Sequence, residues 1–225
     1  MSNARLLILS GLLAFIGGFI DVVCFFGLKG LLAAHITGNL ATLCASIVLG
    51  SAGLVSKIAA VPEFMVIAAL AHMSARMLNR YGMWSVRLLL ALETVLLMAF
   101  LALAAHYGPF ADPDSNVALL TALAAIAAMA VQNAVQRAQL TGIPPTSFMT
   151  GNATQASIDF IDALAGAADA KQKKRLRHVL LNLSCFALGC AAAALAYDAA
   201  GFAALAIPVP AAVLAVFLAP PGPVA

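Results

Sequence analysis

Thr-Gly-Asn occurs twice in the chain, as Thr37-Gly38-Asn39 and Thr150-Gly151-Asn152, each time between apolar runs. Hydroxyl and amide groups donate and accept hydrogen bonds, and glycine lets another backbone or a solute come close. At a helix start, Thr or Asn caps free backbone N–H groups, and the positive helix end favours anions or carbonyl oxygens. In an apolar chain such a polar, glycine-broken element lines a path or a cavity. The structural alternative is simple capping of a helix start, and repetition of the tripeptide is what favours lining.

Other polar groups stand alone in apolar surroundings. Asp21 follows Gly17-Gly18-Phe19-Ile20, about 22 Å into the first apolar segment at 1.5 Å per residue. An intramembrane carboxylate is a proton or cation site by default, and it can also brace a neighbouring half-helix. Gln132 and Asn133 offer neutral amides that can solvate a solute or clamp two helices. His35, two residues before Thr37, has Phe148 at the aligned position of the other copy, so it marks an asymmetry; histidine is the usual switch near neutral pH. Equal counts from the turn at Tyr81-Gly82 place His72 and Glu93 at similar depth, where they can share a proton or a structural hydrogen bond; Arg76 is a second partner for Glu93.

These residues lie in a chain that is 64% hydrophobic and 9% charged, with mean hydropathy +1.02. A soluble domain is about half apolar and a quarter charged, so this is a membrane protein. Eight apolar segments fall at about 6–28, 35–53, 61–79, 84–106, 117–138, 147–165, 176–197 and 202–219, all reading as helices. Gly and Pro positions separate them, among them Gly30, Pro62 and Gly142; Pro208 and Pro210 predict a kink or break in the last. The N-terminal run continues past Leu13 to Phe26, which predicts an uncleaved span rather than a removed leader. Cys24, Cys44, Cys185 and Cys190 read as buried packing thiols without metal-ligand spacing.

Shifting the chain against itself by 113 residues superposes the segments in order, first on fifth through fourth on eighth. Asn39 falls on Asn152, Thr42 on Gln155 and Ser46 on Asp159, a polar stripe at helical spacing that Asp162 extends. A one-residue slip aligns Gly30 with Gly142 and Asp21 with Asn133. The chain therefore reads as one membrane domain of two repeats, 1–112 and 113–225.

Charge decides how the segments cross. If all eight span, the two faces hold seven and five Lys or Arg; if the second and sixth dip in and return, they hold ten and two. The second arrangement obeys the positive-inside rule, with the N-terminus cytoplasmic. The polarity of Asn152, Thr154, Gln155, Ser157, Asp159 and Asp162 points the same way. The expected fold is all-α and polytopic, two inverted repeats each of three spans plus one re-entrant half-helix, with the Thr-Gly-Asn tips meeting near the midplane. Eight full spans is the alternative.

Gly18-x-x-Asp21 paired with Thr37-Gly38-Asn39, and Gln132-Asn133 paired with Thr150-Gly151-Asn152, resemble the YoaK-like family, bacterial integral membrane proteins grouped as a domain of unknown function. The resemblance runs from about residue 8 to about 218 and implies a plasma-membrane protein, with no activity or substrate attached. The residues themselves point to a small-solute transporter or channel. Its path would be lined by Asp21, His35, Thr37, Gly38, Asn39, Gln132, Asn133, Thr150, Gly151, Asn152, Gln155 and Asp159, with His72 and Glu93 as a proton relay. No nucleophile–base pair, metal cluster or phosphate loop argues for an enzyme, a catalytic residue, a metal or a cofactor. The basic loop 171–178 is expected to contact anionic lipid headgroups, and it lacks the interleaved aromatics of a nucleic-acid site. Expected partners are membrane lipids and an unknown small solute or ion, and nothing excludes a homo-oligomer. The alternative is a membrane scaffold or sensor without transport.

Overall fold

The computed structural model describes residues 3–141, 143–146 and 149–223. Among the described residues the chain forms eight α-helices, one 3-10 helix and no strand: α1 Asn3–Gly27, α2 Gly38–Leu49, α3 Leu54–Arg80, α4 Ser85–Tyr107, α5 Asn116–Gln139, α6 Met149–Leu164, α7 Ala170–Ala200, the 3-10 helix Gly201–Ala206 and α8 Pro208–Leu218. Five stretches are long and apolar enough to cross a membrane: Ala4–Gly27, Leu54–Arg80, Ser85–Tyr107, Asn116–Gln139 and Ala170–Ala206. Helices α2 and α8 are apolar but short. Gly142 and Phe148, aligned above with Gly30 and His35, lie outside the described residues.

Helices α1 and α5 are the most buried of the five long apolar stretches, through Leu9, Leu13, Ile16 and Ile20 on one and Ala122, Ala125, Ile126 and Met129 on the other. Around them the helices pair in matching fashion: α1 with α7 and α3 with α5, α1 with α8 and α4 with α5, α2 with α3 and α6 with α7. Apolar surface drives little association between helices in lipid, so close packing needs small residues. A β-carbon on Gly18 would strike the Phe186 carbonyl oxygen, and one on Gly189 would strike the Phe15 carbonyl oxygen. Gly18 thus admits α7, while Gly17 faces Ala34 and Gln132.

Polar contacts tie the helix ends into two groups. Asn79 at the end of α3, Ser85 at the start of α4 and Gln139 at the end of α5 form one hydrogen-bonded triad. The carbonyls that α8 leaves unpaired at its C-terminus are met by arginines from the starts of α1 and α4. Arg5 bonds Leu218 and Phe217, and Arg87 bonds Ala219. At the opposite ends, the Asp114 carboxylate before α5 accepts from the Gly53 and Val55 amides at the start of α3. So α3 and α5 run parallel.

The break expected in the last segment is present, where the 3-10 helix gives way to α8 at Pro208. Three other sequence expectations change. Pro62 does not separate two segments; it sits inside α3. The basic residues 171–177 are helical, because Asp169 and Gln172 form a capping box that starts α7 six residues earlier than hydropathy suggests. Cys24 is buried and Cys185 and Cys190 partly so, but Cys44 is exposed on α2; all four thiols are free.

Candidate functional site

The segment between α1 and α2 is irregular, made of turns and bends, and largely packed against protein, so its backbone groups need partners within the structure. Polar side chains supply them. Asp21 Oδ1 accepts from the Ala34 amide at 2.7 Å, and Asp21 Oδ2 lies 2.6 Å from Nδ1 of His35. Asn39 Oδ1 accepts from the Leu32 amide at 2.8 Å while its Nδ2 donates to the Leu32 carbonyl at 2.7 Å. A β-carbon on Gly38 would meet the Leu32 side chain, so Gly38 and Asn39 together seat the residue six or seven places before them.

Thr37 does not cap α2. Its backbone is already helical, its side chain makes no capping bond, and it is exposed. The first α2 amides are satisfied by carbonyls three residues back: Gly38 to His35, Asn39 to Ile36 and Leu40 to Thr37. The amides expected to receive an anion or carbonyl oxygen there are occupied by the chain itself.

Asn152 repeats the seven-residue reach, donating through Nδ2 to the Pro145 carbonyl at 2.8 Å. Gln136 Oε1 accepts from both the amide and the hydroxyl of Thr146, and Asn182 donates to the Pro144 carbonyl while accepting from Ser10. Thr150 and Gly151 are exposed. Ser46 and Asp159, aligned in sequence, each receive a cation from the following helix. Lys57 Nζ reaches Ser46 Oγ at 2.7 Å; Arg175 grips Asp159 at 2.7 and 2.6 Å, with Gln155 adding a bond at 3.0 Å. The Arg175 guanidinium holds the Asp159 carboxyl below the usual carboxylate range, with Gln155 assisting against burial.

Helices α2 and α6 do not touch, so the two Thr-Gly-Asn elements are not joined at a common tip. Each packs against the helix that follows it. Glu93 and His72 also stay apart. Glu93 is buried on the α4 face shared with Leu89, Leu90 and Leu97, and its Oε1 has no hydrogen-bond partner among the described residues. His72 is exposed on α3, and no hydrogen bond or ion pair joins Glu93 to it or to Arg76 among the described residues.

Four of the sequence candidates do converge. His35, Thr37, His72 and Asn133 line one cavity of about 400 Å³, between residues 34–37, α3 and α5. Phe64, Ala68 and His72 repeat every fourth residue on α3, and Asn133 and Arg137 do so on α5, so each helix turns one face to it. Asp21 stands directly behind His35, whose ring also meets Phe186 edge-on at 5.0 Å. Arg137 is the lining residue that sequence reasoning used only as a topology charge; its four-residue spacing from Asn133 was the available signal. Gln132 is buried against α1, donating to the Leu13 carbonyl, and its Oε1 has no partner among the described residues. No group of three metal-binding side chains occurs among the described residues.

The chain matches, over residues 9–219, the family described as Protein of unknown function (DUF1275). It belongs to that family. No curated protein and no solved structure matches it. The match covers the α1–α2 and α5–α6 connections, both Thr-Gly-Asn elements and the cavity, so these are parts of one family domain. The YoaK-like resemblance fits this membership.

Proposed function

We propose that this protein is a small-solute transporter or channel of the bacterial plasma membrane, working through the cavity between residues 34–37, α3 and α5. The observation that carries the reading is the convergence of His35, Thr37, His72 and Asn133 on one cavity, with Asp21 bonded to His35 behind it. An imidazole–carboxylate pair can take up and release one proton, which makes Asp21–His35 the coupling site if transport is driven.

The same proposal includes inverted repeats with re-entrant α2 and α6 and a cytoplasmic N-terminus. Matching helix pairings in the two halves support it. So does the position of α2: Thr37 shares a cavity with Phe64, Ala68 and His72, while Ser46, three turns on, meets Lys57 at the start of α3. Helix α2 therefore runs back along the first part of α3 without accompanying it to its end.

A second reading has its own observation. Among the described residues the side-chain hydrogen bonds of Asn39 and Asn152, and one of the two at Asp21, go to loop backbone, as a scaffold without transport requires. Liposome flux separates the two. Purified protein is reconstituted around a pH-sensitive dye and challenged with a panel of small carboxylates, amines, amides and salts. Transport predicts at least one solute-dependent signal above protein-free liposomes, reduced in Asp21→Asn, which keeps an acceptor for the Ala34 amide. No signal from any member, with the protein folded and inserted, removes the transport reading.

A further inference from the structure

We infer that one anionic phospholipid sits in the furrow between the starts of α1 and α7, its phosphate on Arg177 and an acyl chain along the seam. The inference does not use the transport reading; it needs only that α1 and α7 cross a membrane.

The furrow has a volume of about 730 Å³. One face of each helix lines it at steps of three or four residues: Ile8, Leu12 and Phe15 on α1, and Arg177, Leu181 and Ser184 on α7. Small residues keep it open. Gly11 lies between the helices, where a β-carbon would stand 3.1 Å from the Cys185 sulfur. Arg177 is the one charged lining residue among those described, and it stands at one end. From there inward the wall is hydrocarbon apart from the Ser184 hydroxyl and the Cys185 thiol. A charge followed by an apolar track is the complement of a phosphate followed by an acyl chain.

Length selects a lipid over a second copy of this chain. From Ala4 to Phe15 the α1 wall rises about 16 Å at 1.5 Å per residue, against about 15 Å for half of the hydrocarbon core. Beyond that depth the two backbones close on each other, since Gly189 meets the Phe15 carbonyl and Gly18 the Phe186 carbonyl. A lipid tail stops one leaflet deep. A packed helix of another copy would need a seam that continues across the bilayer. The volume equals the liquid share of about two dozen waters, which is room for one hydrocarbon tail.

Charge selects the head. Arg177 is exposed and closes the basic run that opens α7, and Lys173 stands one turn earlier on the same face. Among the described residues no hydrogen bond or ion pair holds either side chain. The acids near this end are turned to other partners: Asp169 to the Gln172 amide, Asp162 to the Gln172 side chain and Asp159 to Arg175. Helix α1 brings no acid before Asp21, and its Arg5 is held by carbonyls of α8. A phosphate gains a planar guanidinium fork here. A phosphocholine head would bring its own cation against Arg177 and Lys173, so the favoured head carries net negative charge.

The test uses the delipidated full chain in detergent, by equilibrium binding and thermal shift. The probes are phosphatidylglycerol and phosphatidylcholine with the same acyl chains, and inorganic phosphate. Phosphatidylglycerol is expected to bind and raise the melting point; phosphatidylcholine should bind about tenfold more weakly or less, and phosphate should do nothing. Arg177→Gln, at an exposed position, should weaken phosphatidylglycerol by about tenfold, as for loss of a charged hydrogen bond. Lys171→Gln removes the same charge from a different face of α7 and should weaken it less. Ser184→Trp, also at an exposed position, fills the furrow while keeping every charge, and should block the lipid. The inference is overturned if phosphatidylcholine or phosphate acts like phosphatidylglycerol, if Arg177→Gln or Ser184→Trp binds phosphatidylglycerol like wild type, or if Lys171→Gln loses as much as Arg177→Gln. It is also overturned if the lipid-free chain is a dimer that Ser184→Trp separates, because the furrow then belongs to a second copy.

Discussion

The α1–α2 and α5–α6 loops both need partners for their backbone polar groups and obtain them from different side chains. The first, between α1 and α2, carries backbone donors, the Leu32 and Ala34 amides, and buries acceptors to receive them: Asn39 Oδ1 and the Asp21 carboxylate. The second, between α5 and α6, has Pro144 and Pro145, which lack an N–H, so what needs satisfying there is carbonyl oxygen. It is met by amide donors, Asn182 and Asn152. Gln136 serves Thr146, which still has a donor. In the first loop the Leu32 amide is served by a neutral amide and the Ala34 amide by a carboxylate, which can also pair with a histidine. In the second loop the Thr146 amide and the proline carbonyls are served by neutral amides. The Asp21–His35 pair thus stands in the first half alone, beside the cavity, as a consequence of which backbone groups its loop exposes. Charge sits elsewhere in the second half: Lys57 meets a neutral Ser46, whereas Arg175 meets Asp159.

The sharpest way to break this comparison is at Asp21. Asp21→Ala leaves the Ala34 amide and the His35 ring without their acceptor in a buried site. It is expected to cost about 3 kcal/mol or more in stability, read as a large fall in melting temperature or loss of folded protein. Asp21→Asn keeps one acceptor and should cost clearly less. If the two variants melt alike, the carboxamide oxygen is not replacing Oδ1 and the donor argument fails.

The asparagines offer a graded test. Asn39 makes two bonds to Leu32 and Asn152 makes one to Pro145. Alanine at 39 should cost about 2 kcal/mol and alanine at 152 about 1 kcal/mol, measured by denaturant unfolding in the same detergent. Equal losses would mean that the missing proline N–H is irrelevant.

A pH series tests the charged contact of the second half. The Asp159 carboxyl is held below its unfolded value, about 3.9, by Arg175. Its contribution is therefore fully present above the unfolded value and is lost as pH falls through the folded one. Wild-type melting temperature should drop in that acidic window; Asp159→Asn should flatten the drop, and Ser46→Ala should leave it intact. An unchanged acid profile in Asp159→Asn would place the acid-sensitive contact elsewhere. The smallest effect is expected at Pro145→Ala, which adds one amide to the residue whose carbonyl Asn152 binds. It should change stability by less than about 1 kcal/mol, measured by the same unfolding assay. A larger loss would show that the proline ring, not its missing donor, sets the loop.

Much of this was legible in the sequence because helical spacing and duplication survive in one dimension. The all-helical membrane class, the pairing of Asn39 with Asn152 and the pairing of Ser46 with Asp159 all reappear in equivalent contacts. The loops were not legible, because an extended segment has no periodicity to read. Thr-Gly-Asn therefore reads as lining a path, with capping as the alternative, whereas its Asn reaches back seven residues to an irregular loop. Depth along a helix was countable, but the direction each side chain faces was not. Glu93 and His72 match in depth, yet one lies on the buried face of α4 and the other on the exposed face of α3. Pro62 looked like a stop because its own ring breaks the helical pattern locally, while the apolar residues on both sides hold α3 as one helix.

The reciprocal glycines of α1 and α7 restrict how the molecule can deform. Gly18 rests on one carbonyl of α7 and Gly189 on one carbonyl of α1, so the two backbones touch at two points. Sliding either rod along the other, or twisting it about its own axis, would drive a neighbouring side chain into a carbonyl oxygen. The two must travel as a single beam, and any breathing of the bundle falls to its seams with α5 and α8.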